Sequence, residues 1–155
     1  MTSSTSTETT PNAVLEHLLI VEVRGQLFGF DASHLREVLP ARPTTRIPGA
    51  PSVVRGLINL RGSLVVVADV AMRLLGGGPS DEVGSIVLVE SEGKSLGLAV
   101  QDVRDVVAVE VEGINGAQLP TGPAPAASLC RGVGRLDNEI VIVLDVAALA
   151  RQVVA

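Results

Sequence analysis

Nucleophilic catalysis needs a serine, threonine or cysteine placed beside a base, and this chain has few bases to offer. Its two imidazoles, His17 and His34, carry no recognisable partner motif, and its one thiol is Cys130. Cys130 stands just ahead of a predicted strand, where a small buried thiol is the expected state rather than a reactive one. Two separated histidines and one cysteine match no zinc or iron spacing. Carboxylates that could divide acid and base roles, Glu37 with Asp69 or Asp105 with Asp145, fall at strand ends and helix starts, where capping accounts for them. The triple glycine Gly76-Gly77-Gly78 has neither a Gly-Lys-Ser/Thr ending nor GxGxxG spacing and reads as a linker. No catalytic group, metal or cofactor is therefore expected. One residue is not explained by the fold: Arg61, at a predicted tight turn whose counterpart later in the chain carries the opposite charge.

The elements that position Arg61 lie in IPGAPSVVRGLINLRGSLVVVADVAMRLL, residues Ile47 to Leu75. Pro48 and Pro51 stiffen an extended lead-in. The run through Leu57, Ile58 and Leu60 breaks at Arg61-Gly62 and resumes at Leu64 to Val67, which predicts two strands and a turn with glycine at positive φ. The second strand is apolar at consecutive positions, so both its faces should be covered. Asp69 should cap a short helix from Val70 to Leu75.

This stretch recurs. Arg55 to Ala71 laid over Arg131 to Ala147 without a gap leaves about half the positions identical. Gly25 to Val38 likewise lies over Gly93 to Val106, ending in LREV and VRDV. Further hairpins are predicted at Arg24-Gly25, Glu92-Gly93 and Asp137-Asn138, followed by an apolar C-terminal helix, Val146 to Val154. His34 leads into LREVL, which reads equally as a helical turn or a bent strand. The chain divides into a first half of about 14–75, a linker at 76–84 and a second half of about 85–155, after a polar tail, 1–13, with little to bury. Gly113 to Ser128, rich in Gly, Pro and Ala, is expected to be an irregular surface loop. At the aligned bends Asp137 replaces Arg61: the turn chemistry is equal and the charge reversed, so the arginine is either a simple solvated side chain or a contact.

The 155 residues are 46% hydrophobic, rich in valine, with Phe28 and Phe30 the only aromatics, which favours an all-β fold filled by branched aliphatics. A net charge of −5 with scattered basic residues and no aromatic platform argues against nucleic acid. No apolar run approaches the roughly 20 residues that span a bilayer, and the N-terminus lacks signal-peptide character, so a cytoplasmic protein without membrane insertion is expected.

The ordered blocks FDASHLREVL, RIPGAPSVVRGLINLRGSLVVVADV, GLAVQDVRDVVAV and CRGVGRLDNEIVIVLDVAALA resemble the CheW family of chemosensory adaptors over residues 17–152. NLRG following P-x-x-P-x-x-x-x-G is the most specific part. The resemblance implies two pseudo-duplicated five-stranded SH3-like barrels sharing a core, with short helices including one at the C-terminus. It implies no enzymatic activity. It also implies two partners: the regulatory domain of a CheA-type histidine kinase, docked end to end, and the hairpin tip of a chemoreceptor held in a groove between barrels. Carried over, Leu35, Arg61 and Val106 are receptor-groove contacts, Gly56 permits close approach, and Glu37 touches kinase or receptor. Leu35 and Val106 also fit a plain core role. The chain departs from the family in lacking a proline inside the second strand of the NLRG hairpin, Val66-Val67-Ala68-Asp69-Val70, which puts pairing at that edge and kinase docking in question.

The leading expectation is thus a scaffold coupling receptors to the kinase at membrane-associated arrays, with self-association as part of the array role. The rival is a small-molecule sensor using the groove between barrels, with Gly113 to Ser128 as a lid.

Overall fold

The computed structural model describes residues 13–78, 82–113 and 129–153. The expectations for the 1–13 tail, apart from its last residue, and for the Gly113 to Ser128 loop, apart from its first, lie outside them. Among the described residues ten strands and two helices follow in order: β1 (Ala13–Val23), β2 (Gln26–Asp31), β3 (Leu35–Pro40), β4 (Val54–Leu60), β5 (Ser63–Asp69), α1 (Val70–Leu75), β6 (Ser85–Ser91), β7 (Lys94–Val100), β8 (Asp102–Gly113), β9 (Cys130–Leu136), β10 (Glu139–Leu144) and α2 (Val146–Val153). The stretch that read two ways from sequence is both: a 3₁₀ turn, Ala32–His34, capped by Asp31, and then β3 with a register shift between Leu35 and Glu37. β1 starts earlier than its apolar run because it continues along β8, from Ala13↔Glu112 inward.

The all-β class and the two-barrel architecture are as the sequence indicates, but neither barrel is built from one sequence half. The first is closed in the order β1-β2-β10-β9-β8, and the second sheet runs β3-β6-β7-β5-β4. Aligning the repeats makes β1 to β5 equivalent to β6 to β10, and the two strand orders are then the same with the halves exchanged. Parallel pairings make the exchange: Phe28↔Ile142 joins β2 to β10, and Ala68↔Leu98 joins β5 to β7. β5, the strand without the family's proline, is therefore interior, between β4 and β7, and not an edge.

This arrangement explains the consecutive apolar runs. On β10, Val141 and Val143 fill the first barrel while Ile142 and Leu144 face a central cluster; on β6, Ile86 and Leu88 fill the second barrel while Val87 and Val89 face the same cluster. The central cluster joins Phe28 and Phe30 of one barrel to Leu96 and Leu98 of the other, with Leu74 of α1 and Leu149 of α2. Strands at this junction are buried on both faces, so neither face can be polar. Asp69 accepts a hydrogen bond from Met72 N (3.0 Å) and Asp145 from Ala148 N (3.0 Å), so each helix leaves its strand through an aspartate cap. α2 packs on β6 and β7, across from the barrel that contains β10.

The barrels differ in closure. β8 and β9 form a ladder through Val111↔Gly134, Glu112↔Val133 and Gly113↔Gly132, whereas among the described residues the second barrel is closed by one bridge, Thr45↔Leu57. Pro43, near the bridge, has no N–H to donate to a ladder.

Candidate functional site

Arg61 and Gly62 both have positive φ, 50° and 89°, as do Arg24-Gly25 and Glu92-Gly93 at the corresponding bends. Such pairs match the right-handed twist of the flanking strands. Since arginine and glutamate occupy the same turn position with the same backbone, turn geometry does not select Arg61. Asn59 Oδ1 accepts from Gly62 N (2.9 Å) and fixes the bend. Arg61 is 66% exposed, and its Nη2 donates to Glu37 Oε1 of β3 at 2.5 Å. The structure thus joins two residues that the sequence placed 24 apart. Their repeat equivalents are Asp137 and Asp105, so one barrel carries an exposed cation–anion pair where the other carries two acids.

Leu35 is half-buried against the central cluster, at the junction of the barrels, and its repeat equivalent Val103 packs there too. Val106 lies on β8 of the first barrel, opposite Leu19, and is 46% exposed, which argues against a plain core role. Its repeat equivalent is Val38, 42% exposed on β3. Leu64 beside the Arg61 bend and its equivalent Ile140 form a second exposed apolar pair. Val38 and Leu64 escaped sequence reasoning, although the alignment that set Val106 over Val38 carried the signal for the first. Gly56 makes its close approach within the chain: a Cβ there would lie 2.4 Å from the Thr45 carbonyl oxygen.

The repeat also duplicates an ion pair that the sequence reading missed. Arg36 meets Glu90 at 2.6 Å and Arg104 meets Glu22 at 2.7 Å, each joining the strand after the turn to the first hairpin strand of the other half or its partner. Exposed ion pairs are screened by solvent and contribute little, so Arg104→Ala should lower the melting temperature by no more than about a degree or two. A large loss in a melting experiment would contradict this.

The groups that could do chemistry are otherwise engaged. His34 Nδ1 sits 3.0 Å from the Glu90 carbonyl oxygen, which holds the ring as an Nδ1–H donor. Burial pushes the Cys130 thiol up to about 11. At pH 7 roughly one molecule in ten thousand would carry the thiolate, so alkylation by iodoacetamide is expected to be slow at neutral pH and to accelerate toward pH 11. Fast labelling at pH 7 would show a different environment. The Ser33 backbone N–H, with its hydroxyl, holds the Asp31 carboxyl below its ordinary value. A depressed folded value stabilises the protein above the unfolded value near 3.8, and that contribution is lost as pH falls through the lower folded value. Asp31→Asn should therefore remove acid sensitivity only below about pH 4, readable in urea midpoints across pH. Among the described residues no group of three or more His, Cys, Asp and Glu is placed to hold a metal ion.

A family model described as a CheW-like domain matches residues 17–154. The chain is 27% identical over 141 residues to a chemotaxis protein CheW of Klebsiella aerogenes, covering 86% of this chain and 81% of that one. It is 29% identical over 140 residues to a probable chemotaxis protein CheW of Rhizobium etli, covering 85% of each. The crystal structure of the scaffolding protein TtCheW from Thermoanaerobacter tengcongensis superposes with a TM-score of 0.72 at 25% identity, over 85% of this chain and 90% of that one.

Proposed function

The chain belongs to the CheW-like domain family, and from that premise we propose that it is a non-enzymatic scaffold that couples chemoreceptors to a CheA-type histidine kinase in chemosensory signalling. The observation that carries this reading is the family match across 17–154 on a fold of two exchanged barrels with one shared core. A rigid body with two similar but unequally charged barrels suits a part that must bind two partners in fixed register and has no reaction to perform. Raising kinase output then follows from holding kinase and receptor together at high effective concentration.

The receptor's helical hairpin tip is assigned to the surface of Arg61, Leu35 and Val106. Arg61 supports this because it is exposed and its fork can bond helix carbonyls or carboxylates. Leu35 supports it by its place at the barrel junction. Glu37, paired with Arg61, sets the direction of the guanidinium and stands as a contact to receptor or kinase. Gly56 serves this surface indirectly, by letting the strand that carries the bend close on Thr45. The regulatory domain of the kinase docks on a barrel end, and copies of the chain associate in arrays by the same kind of contact. Among the described residues no helix is long and apolar enough to cross a membrane, and attachment to arrays would run through the receptor.

Purified protein should capture both a CheA-type regulatory domain and a receptor-tip fragment from the same cell, singly and together. Failure to bind either partner in a direct titration would overturn the adaptor reading.

A further inference from the structure

The repeat gives every residue of α1 a twin in α2, counted from Asp69 and Asp145, the aspartates that cap the two helices. Arg73 falls over Leu149, a core side chain only 2% exposed, and Gly76 and Gly77 fall over Gln152 and Val153. α2 runs on through these last positions, whereas α1 stops at Gly76, whose φ of 80° turns the chain out of the helix. The repeated helix therefore does not demand Arg73, just as the repeated turn does not demand Arg61.

Where α1 stops, a cavity of about 450 Å³ opens between the two helix ends. Met72, Arg73 and Gly76 face Gln152 and Val153 across it, and the segment Pro51 to Val53 completes the lining. Its volume falls within the range of small-ligand pockets, about 300–1,000 Å³. The rim is anchored: Arg24 donates from Nη1 to the Gly76 carbonyl (2.6 Å) and from Nη2 to the Gly78 carbonyl (2.7 Å). The triple glycine that reads as a plain linker is thus held by one guanidinium fork at the β1–β2 bend. The polar lining is one-sided. Arg73 Nη2 donates to the neutral Gln152 Oε1, and among the described residues Arg73 meets no carboxylate and no acid lines the cavity. A cation in the last turn of a helix complements its carbonyl end. That role leaves unexplained the half-buried Val53, Met72 and Val153 around it.

We propose that this cavity between the ends of α1 and α2 binds a small aromatic carboxylate, its carboxylate on the Arg73 guanidinium and its ring among Pro51, Val53, Met72 and Val153. A planar carboxylate is the anion that a guanidinium selects, through paired charge-assisted hydrogen bonds. The apolar walls supply the second requirement, because an inorganic anion would leave Val53, Met72 and Val153 facing water. Met72 adapts to irregular shapes, and its sulfur makes favourable contacts with ring edges. One wall continues β5 of the second barrel and the other continues β10 of the first, so an occupant would tie the two helix ends together. The site goes beyond the scaffold reading and does not depend on it.

The test is a titration of the full-length protein with benzoate, followed by amide chemical shifts, with benzamide as the neutral control. Saturable shifts at Val53, Met72, Gly76 and Val153 are expected, with benzamide at least about tenfold weaker because it lacks the charge-assisted bonds. Arg73→Gln should weaken benzoate binding about tenfold and leave benzamide binding unchanged. Arg73→Lys keeps the charge without the fork and should fall between the two. If Arg73→Gln does not fold, Arg73→Lys and the comparison of benzoate with benzamide on the unaltered protein decide. No saturable shift at about 50 mM benzoate, equal binding of benzamide, unchanged binding by Arg73→Gln, or shifts centred on Arg42 and Arg46 would each overturn the proposal.

Discussion

Gly56→Ala is expected to destabilise the protein by about 3–5 kcal/mol, the combined scale of a strained backbone and an overpacked contact. A Cβ on Gly56 would lie 2.4 Å from the Thr45 carbonyl oxygen and 2.8 Å from its carbon, and these are backbone atoms that cannot rotate aside. Its φ of +147° is one that L side chains rarely adopt. The contact also sits beside the bridge that closes the second barrel among the described residues, where Thr45 and Leu57 exchange hydrogen bonds of 2.8 Å each way. Two other glycines calibrate the effect. At Gly132, the twin position, a Cβ would meet Val111 Cγ1 at 2.6 Å, a side chain that can shift, and the Glu112 carbonyl oxygen at 2.9 Å, so Gly132→Ala should cost less. At Gly62 nothing lies within 4 Å and only the φ of +89° is strained, so Gly62→Ala should cost about 1–2 kcal/mol. Urea unfolding of the three variants gives the order directly. A Gly56→Ala midpoint no lower than that of Gly62→Ala would show that the Thr45 segment yields freely and that the seam is soft.

The sequence made the hairpins legible because each one is written locally. Arg24-Gly25, Arg61-Gly62 and Glu92-Gly93 place a glycine where φ must be positive, and the apolar runs on either side set the strand lengths. The repeat was legible for the same reason, as identity at fixed offset. What the sequence did not disclose was the exchange of halves. A run such as Val141 to Leu144 says that both faces are covered and is silent about what covers them; β10 could have paired within its own half with equal satisfaction of its side chains. The parallel pairings β2–β10 and β5–β7 are long-range and leave no local mark. The expectation that β5 lies at an edge failed on this point, since its place beside β7 depends on a strand from the other half.

Much of the candidate site followed the same division. Arg61 stood out because the repeat preserved the turn and reversed the charge, a signal contained in the sequence. Its partner Glu37 was singled out as a partner contact only through the family resemblance, and that the two meet depends on how the second barrel curls, which no spacing reveals. Val38 was within reach, as the twin of Val106. The Arg36–Glu90 and Arg104–Glu22 pairs were also within reach, since both arginines and both glutamates align at one offset. Gly56 illustrates the opposite case: close approach was anticipated correctly in kind, while the atom approached, the Thr45 carbonyl, is set by tertiary closure.

Arg61→Asp is expected to reduce affinity for a receptor-tip fragment by about 100-fold, while binding of the kinase regulatory domain changes by less than about threefold. Stability should hardly move, because the Arg61–Glu37 pair is exposed at 66% and 35%, and pairs of that kind contribute about 0–1 kcal/mol. Two explanations of a loss must be separated. The guanidinium could itself contact the receptor, or it could act only by neutralising and holding Glu37. The double variant Arg61→Asp with Glu37→Arg restores an ion pair across the same gap with its polarity inverted. If Arg61 is the contact, the double variant binds receptor no better than Arg61→Asp, although its ion pair is intact. If the pair matters only as a pair, binding returns. Glu37→Arg alone completes the cycle: it leaves Arg61 in place, so loss of kinase binding in that variant, with receptor binding kept, would assign Glu37 to the kinase. Isothermal titration of the four proteins against both partners yields the coupling energy directly. Equal receptor affinity for wild type and Arg61→Asp would remove Arg61 from the receptor surface and return it to the status of a solvated turn residue.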